Sequence, residues 1–177
     1  EDWGVTHVTH LFNAMSSFQH RAPGLVGAAL DTDVHCELIA DNIHVHPAAQ
    51  RLAYKLKGTE QLILVTDSMR ACLLGNGVSE LGGQKVLVEG QRAVLADGTI
   101  AGSVLTLDRA LAIFMQNTGI SIEAAVAMVT QTPARELGIF AQRGSLDIGK
   151  KADFVLLGSD VSIVRTVVGG RVVYTAE

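Results

Sequence analysis

Short apolar runs bounded by polar residues dominate the N-terminal part of the chain. Three of them, at residues 5–12, 37–45 and 61–66, have the length and composition of strands in a buried parallel sheet. Between the last two, Pro47 can begin a helix that residues 48–57 continue, with apolar side chains at helical spacing, as far as Gly58. The pattern predicts a strand–helix–strand unit and therefore an α/β fold.

Glycine-containing turn signals mark the segment 82–102. They flank two short apolar runs, 85–88 and 92–95, which predicts small antiparallel hairpins inserted after the third strand. Helical signals resume beyond this insertion, and we predict helices at residues 106–117, 122–130 and 134–137. The C-terminal segment is rich in valine and isoleucine, so residues 152–157 and 161–174 predict a separate small sheet with a turn at Gly169-Gly170.

Composition narrows the class of protein. The 177 residues are 48% hydrophobic and 18% charged, which is too apolar for a disordered chain. The net charge of −4 and the lack of a Lys/Arg block argue against nucleic acid as a partner. No apolar stretch approaches the roughly 18 residues of a membrane span, so no membrane partner and a cytoplasmic location are expected.

Two residues with catalytic potential lie at the ends of predicted strands. His10 is either a metal ligand or a structural histidine, and its position alone favours the structural interpretation. His7 would face the other side of an extended strand, so we interpret it as structural. We favour Asp67 as a general base that takes a proton from a metal-bound water, over the alternative of a helix cap.

Three further candidates are open to two interpretations each. His44 and His46 share a face if their segment is extended, and in that case the two side chains can bind one divalent ion. Alternatively, His44 contacts a substrate and His46 is an incidental loop residue; the spacing does not decide between these interpretations. Arg21 suits a phosphate or carboxylate, although position alone slightly favours a solvated surface arginine. The stretch Ile100-Ala101-Gly102 permits close backbone approach to a ligand, but it is a weak motif.

Five sequence blocks carry a resemblance to a known family. They are T-H-L-F-N-A-M at 9–15, R-A-P-G at 21–24, I-A-D-N-I-H-V-H at 39–46, L-V-T-D at 64–67 and I-A-G-S at 100–103. In this order and spacing they resemble the N-acetylglucosamine-6-phosphate deacetylases of the amidohydrolase superfamily, and the resemblance covers essentially the whole chain. The first block is highly specific, whereas the closing segment 143–157 is shared by many amidohydrolases.

The resemblance implies a role for each matching residue. His10 matches a metal ligand, and Asp67 matches the catalytic aspartate that activates water and later protonates the departing amine. The implied substrate-binding residues are Asn13, Ala14, Arg21, His44, Ile100, Ala101 and Gly102. His46 matches no assigned position, which weakens the interpretation that His44 and His46 share a metal.

The implied reaction is hydrolysis of the acetamide of N-acetylglucosamine 6-phosphate to glucosamine 6-phosphate and acetate. The implied cofactor is a divalent metal, zinc or a similar ion, as one or two ions, which would lower the pKa of its water. The implied partners are the amino-sugar phosphate and a second copy of the chain in a homodimer, where Arg21 can serve the neighbouring site.

The resemblance also implies an architecture. Residues 1–140 would form the C-terminal part of a metal-dependent-hydrolase TIM barrel, about its last three strands with their helices, with the hairpin insertion near 82–102. Residues 141–177 would form a segment of a small β-sandwich domain. The family's other metal ligands lie upstream of this chain, which starts nine residues before His10, so we expect the chain taken alone to bind metal weakly and to be nearly inactive.

Two other classes of function remain alternatives. A different amidohydrolase, such as a dihydroorotase-like or cyclic-imidase enzyme, would share the strand-end residues and the closing segment. It would not be expected to carry His10 within T-H-L-F-N-A-M followed by Arg21. A non-catalytic binding module would function without Asp67 as a proton carrier.

Overall fold

A three-stranded parallel sheet organises the N-terminal half of the chain. The computed structural model describes residues 4–176. In it, β1 (His7–Val8), β2 (His35–Ile39) and β3 (Leu62–Val65) pair in the order β1-β2-β3. Two helices make the connections, α1 (Gly24–Asp31) between the first two strands and α2 (Pro47–Gln61) between the last two. The predicted strand–helix–strand unit is therefore confirmed.

One face of this sheet forms the main core because alternate strand residues are apolar. Val8, Cys36, Leu38, Leu62 and Leu64 are buried in a single cluster together with residues of α2 and of later helices. His7, His35 and Glu37 occupy the alternating positions of β1 and β2 and are only half-buried. The sheet thus presents an apolar face to the helices and a more polar face opposite.

The predicted strand bounds are wrong for the first two strands. Residues 9–12 form a bend and a turn rather than the end of a strand, because His10 and Phe12 have φ angles of 33° and 77°, outside the extended region. Residues 41–45 also leave the strand, with Asn42 at φ 64°. The argument that His44 and His46 share a face of an extended strand therefore fails.

The two connecting helices differ in how well the sequence predicted them. Helix α2 begins at Pro47 as expected, and its helical backbone is interrupted at Gly58, with φ 60° and ψ −161°. Helix α1 was not predicted, although Pro23 stands at its N-terminus. A Cβ atom on Gly27 of α1 would collide with Pro23 and Phe18, so this helix needs a glycine that lowers its helical propensity.

The hairpin insertion is a four-stranded antiparallel sheet. Its strands are β4 (Gly77–Leu81), β5 (Gln84–Glu89), β6 (Arg92–Val94) and β7 (Ile100–Gly102), paired in chain order. Val86, Val88 and Ala93 are buried on one face, which gives the insertion a core of its own. The prediction of hairpins is confirmed, and the sheet starts at Gly77 rather than near residue 82.

Three helices and a second antiparallel sheet complete the described chain. The helices are α3 (Leu107–Thr118), α4 (Ile122–Ala127) and α5 (Gln131–Glu136). The sheet contains β8 (Phe154–Leu157), β9 (Ile163–Val168) and β10 (Arg171–Thr175) in the order β10-β9-β8. The mixed α/β class and the C-terminal strands are confirmed, whereas the division into residues 1–140 and 141–177 stays a prediction.

Within residues 4–176, the structure contains no helix long and apolar enough to cross a membrane.

Candidate active site at the ends of the parallel strands

Backbone strain concentrates just beyond the carboxyl ends of the parallel strands. Seven non-glycine residues of the described chain have positive φ angles. Five of these residues follow β1, β2 or β3, namely His10, Phe12, Ala14, Asn42 and Asp67. Such conformations cost about 1–3 kcal/mol each and persist only where the surrounding structure enforces them. They are common at active sites. Because parallel strands end at the same edge of a sheet, the strained residues mark that edge as the candidate site.

The turn after β1 is fixed by backbone hydrogen bonds. Leu11 is fully buried and its amide donates to the Glu37 carbonyl at 2.7 Å, which ties the turn to β2. The Asn13 amide donates to the His10 carbonyl at 2.9 Å, and the Asn13 side chain donates to the carbonyls of His10 and Leu11. Residues His10, Asn13 and Ala14 thus belong to one rigid turn.

His10 has an unused ring nitrogen inside this turn. Its Nδ1 atom is buried and receives no hydrogen bond from residues 4–176. A buried polar atom without a partner costs about 1–3 kcal/mol, so a ligand at this atom would relieve a real penalty. The Nδ1 atom of His7 is also without a hydrogen bond, but it lies 3.7 Å from the Glu136 carboxylate, whereas His10 has no such neighbour among the described ion pairs.

The side chains around His10 determine whether a metal ion fits at this site. Imidazole nitrogen is a good ligand for zinc, and the unpaired His10 nitrogen fits one ligand position. A structural or catalytic zinc needs at least three protein ligands, however, and no three His, Cys, Asp or Glu side chains of the described residues come together to hold an ion. Residues 4–176 therefore fit one position of a metal site and do not form a complete one.

The loop after β2 contains a buried Asp–His pair. Asp41 is 5% exposed, and its Oδ2 atom lies 2.6 Å from His44 Nδ1. Its Oδ1 atom accepts from the backbone amides of Ile43 at 2.9 Å and His44 at 2.8 Å. Burial by itself raises the pKa of Asp41, but the hydrogen bonds from the His44 side chain and from the two amides outweigh burial and hold that pKa below its ordinary value.

A network of amide side chains holds the same loop from the helix side. Gln50 of α2 is fully buried and donates to the Asn42 side chain at 3.0 Å and to the Val45 carbonyl at 2.8 Å. Asn117 of α3 donates to the Asn42 and Gln50 side-chain oxygens at 2.7 and 2.9 Å. These bonds fix the strained backbone of Asn42, and with it the position of His44.

The end of β3 meets the last strand of the insertion. The Ser103 amide donates to the Asp67 carbonyl at 3.4 Å, and the Met69 amide donates to the Ser103 carbonyl at 2.9 Å. The Ser68 hydroxyl also donates to the Leu105 carbonyl. This ladder pairs Ser103, the residue that follows Ile100–Gly102, with the segment of Asp67, whose side chain is exposed and whose φ is 46°.

An open cleft borders Asp67 and the strand β3 that precedes it. It has a volume of about 430 Å³, its lining is mainly apolar, and its polar residues are Glu37, Thr66 and Asp67. The Glu37 carboxylate accepts from the Thr9 hydroxyl at 2.6 Å and pairs with His7 at 3.0 Å. The cleft gives a reactant access to the exposed Asp67 carboxylate.

Two predicted candidates do not join the residues at the strand ends. One is exposed without a described contact, and the other caps a helix. Arg21 is exposed in the loop between β1 and α1, and no hydrogen bond or ion pair joins it to the rest of the described chain. His46 caps α2, because its Nδ1 atom accepts from the Ala48 amide at 3.1 Å. The capping role supports the interpretation of His46 as a loop residue outside the chemistry.

The sequence reasoning missed Asp41, Glu37 and Gln50. Asp41 could have been found, because it follows an apolar strand directly and stands three residues before His44, a spacing that suits a side chain–backbone turn. Gln50 and Glu37 gave no such signal. A polar residue inside an apolar helix or strand is ambiguous until its partners are known.

Comparison with known proteins identifies the family. Residues 1–173 match the amidohydrolase family, and the chain belongs to that family. Among its relatives, N-acetylglucosamine-6-phosphate deacetylase of Bacillus subtilis is 45% identical over 175 residues, which cover 98% of this chain and 44% of that protein. The human N-acetylglucosamine-6-phosphate deacetylase is 40% identical over 182 residues, with 98% and 44% coverage.

Solved structures give the same match. The deacetylase of Thermotoga maritima has a TM-score of 0.93 and 37% identity, and the match covers 98% of this chain and 48% of that chain. The resemblance read from the five sequence blocks is confirmed at the level of the family. The chain spans about 44% of the length of the curated relatives it matches.

Proposed function

We propose that this chain serves the hydrolysis of the acetamide of N-acetylglucosamine 6-phosphate to glucosamine 6-phosphate and acetate. The observation that carries the proposal is the placement of Asp67, which has a strained conformation at the end of β3, is hydrogen-bonded to the Ser103 amide and lines an open cleft. The names of relatives that are 40–45% identical along almost the whole chain supply the substrate.

Asp67 is the proposed proton carrier. An exposed carboxylate bordering a cleft can take a proton from an attacking water and return it to the departing amine. His10 is the proposed ligand of a divalent metal, zinc or a similar ion, because its buried Nδ1 is free to bind. Such an ion supplies Lewis-acid polarisation of the acetamide carbonyl and a lowered pKa of water when bound, and residues beyond the described ones complete its ligand set.

The remaining residues are proposed to hold the sugar phosphate. The proposed contacts are Asn13, Ala14, Arg21, His44, Ile100, Ala101 and Gly102. The first two lie in the turn of His10, and the last three end one residue before Ser103, whose amide donates to the Asp67 carbonyl. Arg21 offers a planar fork of donors that suits a phosphate, and its side chain is exposed without a described partner.

We further propose the larger context of this site. The three parallel strands with α1 and α2 fit the last strands of a TIM barrel, and the C-terminal sheet fits a segment of a small β-sandwich domain. Arg21 is proposed to reach the site of a second copy in a homodimer. A phosphorylated sugar does not cross membranes unaided, which favours a cytoplasmic location.

The test is the variant Asp67→Asn in the intact protein, assayed for acetate release. Asparagine has nearly the same shape as aspartate but cannot carry a proton, so turnover is expected to fall by about 10²–10⁴-fold while substrate binding is retained. Asp97→Asn is the matched control, because Asp97 is an exposed aspartate that accepts from the Thr99 amide in a turn of the insertion.

Two outcomes would contradict the proposal. A variant Asp67→Asn with full turnover would remove Asp67 from the chemistry and favour a non-catalytic binding module. Faster hydrolysis of cyclic amides than of the acetylated sugar phosphate would instead identify a dihydroorotase-like or cyclic-imidase activity.

A further inference from the structure

The Asp41–His44 pair restricts how His44 can act. Both carboxylate oxygens of Asp41 are used, Oδ1 by the amides of Ile43 and His44, and Oδ2 by the His44 ring. The side chains are 4% and 8% exposed, so water does not compete for these bonds. A buried carboxylate is tolerated when its oxygens are satisfied in this way.

The hydrogen bond determines which ring nitrogen carries the proton. An ionised carboxylate accepts hydrogen bonds and cannot donate them, so His44 Nδ1 must be the donor in the 2.6 Å contact. The pKa of Asp41 lies below its ordinary value despite burial, because its hydrogen bonds favour the ionised form. His44 Nδ1 therefore keeps its proton in the neutral and in the charged imidazole alike, and Nε2 makes no hydrogen bond to residues 4–176.

The loop after β2 has little freedom to change the orientation of the His44 ring. Asn42 lies next to Asp41 in a left-handed conformation, and its side chain is held by Gln50 and Asn117. Gln50 also binds the Val45 carbonyl on the far side of His44. The backbone on both sides of the imidazole is thus fixed by α2 and α3.

We propose that Asp41 is a positioning residue, which fixes the tautomer and ring orientation of His44 so that Nε2 is the atom that meets the sugar phosphate. The inference rests on the proposed function for the identity of the ligand. His44 Nε2 accepts a hydrogen bond from a sugar hydroxyl when neutral and donates one to a phosphate oxygen when charged. Asp41 itself touches no substrate and acts through His44.

The first test needs no variant and no activity. Long-range proton–nitrogen NMR spectra of the intact protein distinguish a histidine protonated on Nδ1 from one protonated on Nε2. The neutral form of His44 is expected to be the Nδ1-protonated tautomer. A neutral His44 protonated on Nε2 would overturn the proposal, whatever the substrate of the protein proves to be.

The second test is the variant Asp41→Asn. The asparagine side chain can donate as well as accept, so the His44 ring loses its single tautomer and the Nε2-protonated form is expected to appear in the spectra. The KM for the sugar phosphate is expected to rise about 10- to 100-fold, as for other losses of orienting partners, while kcat changes far less. Asp160→Asn is the matched control, because Asp160 accepts from the Ser162 amide and hydroxyl at an exposed turn.

A double-mutant cycle separates positioning from general loss of structure. If Asp41 acts through His44, then Asp41→Asn adds no further rise in KM to a protein that already carries His44→Gln. The same rise in both backgrounds would show a purely structural role and overturn the proposal. Absence of deacetylase activity in the full-length protein would contradict the proposed function, while the NMR tautomer would still decide the role of Asp41.

Discussion

Asp41 illustrates how a single side chain can remain charged inside this molecule. Burial works against its ionised form, but three hydrogen bonds from His44 and Ile43 stabilise that form more strongly. The pKa of the Asp41 carboxyl is therefore lower in the folded protein than in the unfolded chain. It follows that the ionised carboxylate stabilises the fold at neutral pH and loses this contribution as it becomes protonated.

This linkage predicts how stability depends on pH. The folded-state pKa of Asp41 is lowered, so its contribution is complete above the unfolded-state pKa of about 4 and is lost as the pH falls through the folded-state value. The difference in unfolding free energy between the unmodified protein and Asp41→Asn should shrink as the pH falls below about 4. Denaturant unfolding at several pH values measures it. A difference that grows as the pH falls below about 4 would contradict the lowered pKa.

At the scale of elements, the apolar pattern predicted those helices and strands whose bounds are determined by the packing of apolar side chains. β3 and α2 were predicted within one or a few residues, because β3 is a continuous buried apolar run and α2 has Pro47 at its start and Gly58 near its end. The ends of β1 and β2 were not predictable in this way. His10 and Asn42 adopt positive φ angles that tertiary hydrogen bonds enforce, and an apolar pattern carries no information about such bonds.

Part of the candidate site was predictable for a different reason. Asp67 and His10 stand beside strand ends, which can be read from the sequence, whereas the hydrogen bond from Ser103 to Asp67 depends on how the insertion folds back. The spacing of Asp41 and His44 signals a side chain–backbone turn, but the burial of Asp41 and its bond to the His44 ring are visible only in the structure. The sequence therefore predicted that the candidate site lies at the carboxyl ends of the strands, and the structure showed which residues hold its side chains in position.

Lys57 joins two of these elements. Its ammonium group is buried and donates to the carbonyls of Ala29 at 3.0 Å and Thr32 at 2.5 Å, at the C-terminal end of α1. The last carbonyls of a helix have no intrahelical partners, and a cation there is favourable. Lys57 thus fastens α1, and with it the loop that contains Arg21, to α2.

The variant Lys57→Met should lower the unfolding free energy by about 1–3 kcal/mol, because the Ala29 and Thr32 carbonyl groups lose the ammonium group as a donor. Thermal or denaturant unfolding measures the change. Lys55→Met is the matched control, since Lys55 lies on the exposed side of the same helix and the same substitution removes a charge without removing a buried bond. Equal stability of the two variants would show that the Lys57 ammonium does not hold α1.

At the scale of the whole molecule, the candidate site collects residues from separate parts of the chain. The turn of His10, the loop of His44 and the end of β3 are brought to one edge by the parallel sheet, and the insertion adds residues 100–102. Arg21 is the exception, because it is exposed and makes no described contact with these groups. Its place in the proposed homodimer can be tested without a structure of the complex.

Complementation between inactive variants tests whether Arg21 serves a neighbouring copy. In a mixed dimer of Arg21→Ala and Asp67→Asn subunits, one site combines Asp67 of the first subunit with Arg21 of the second and is intact. Random reassociation of equal amounts makes half of the dimers mixed, so about a quarter of the unmodified rate of acetate release is expected from two nearly inactive proteins. If Arg21 instead binds phosphate within its own subunit, every site keeps one defect, and the mixture is no more active than the average of the two variants.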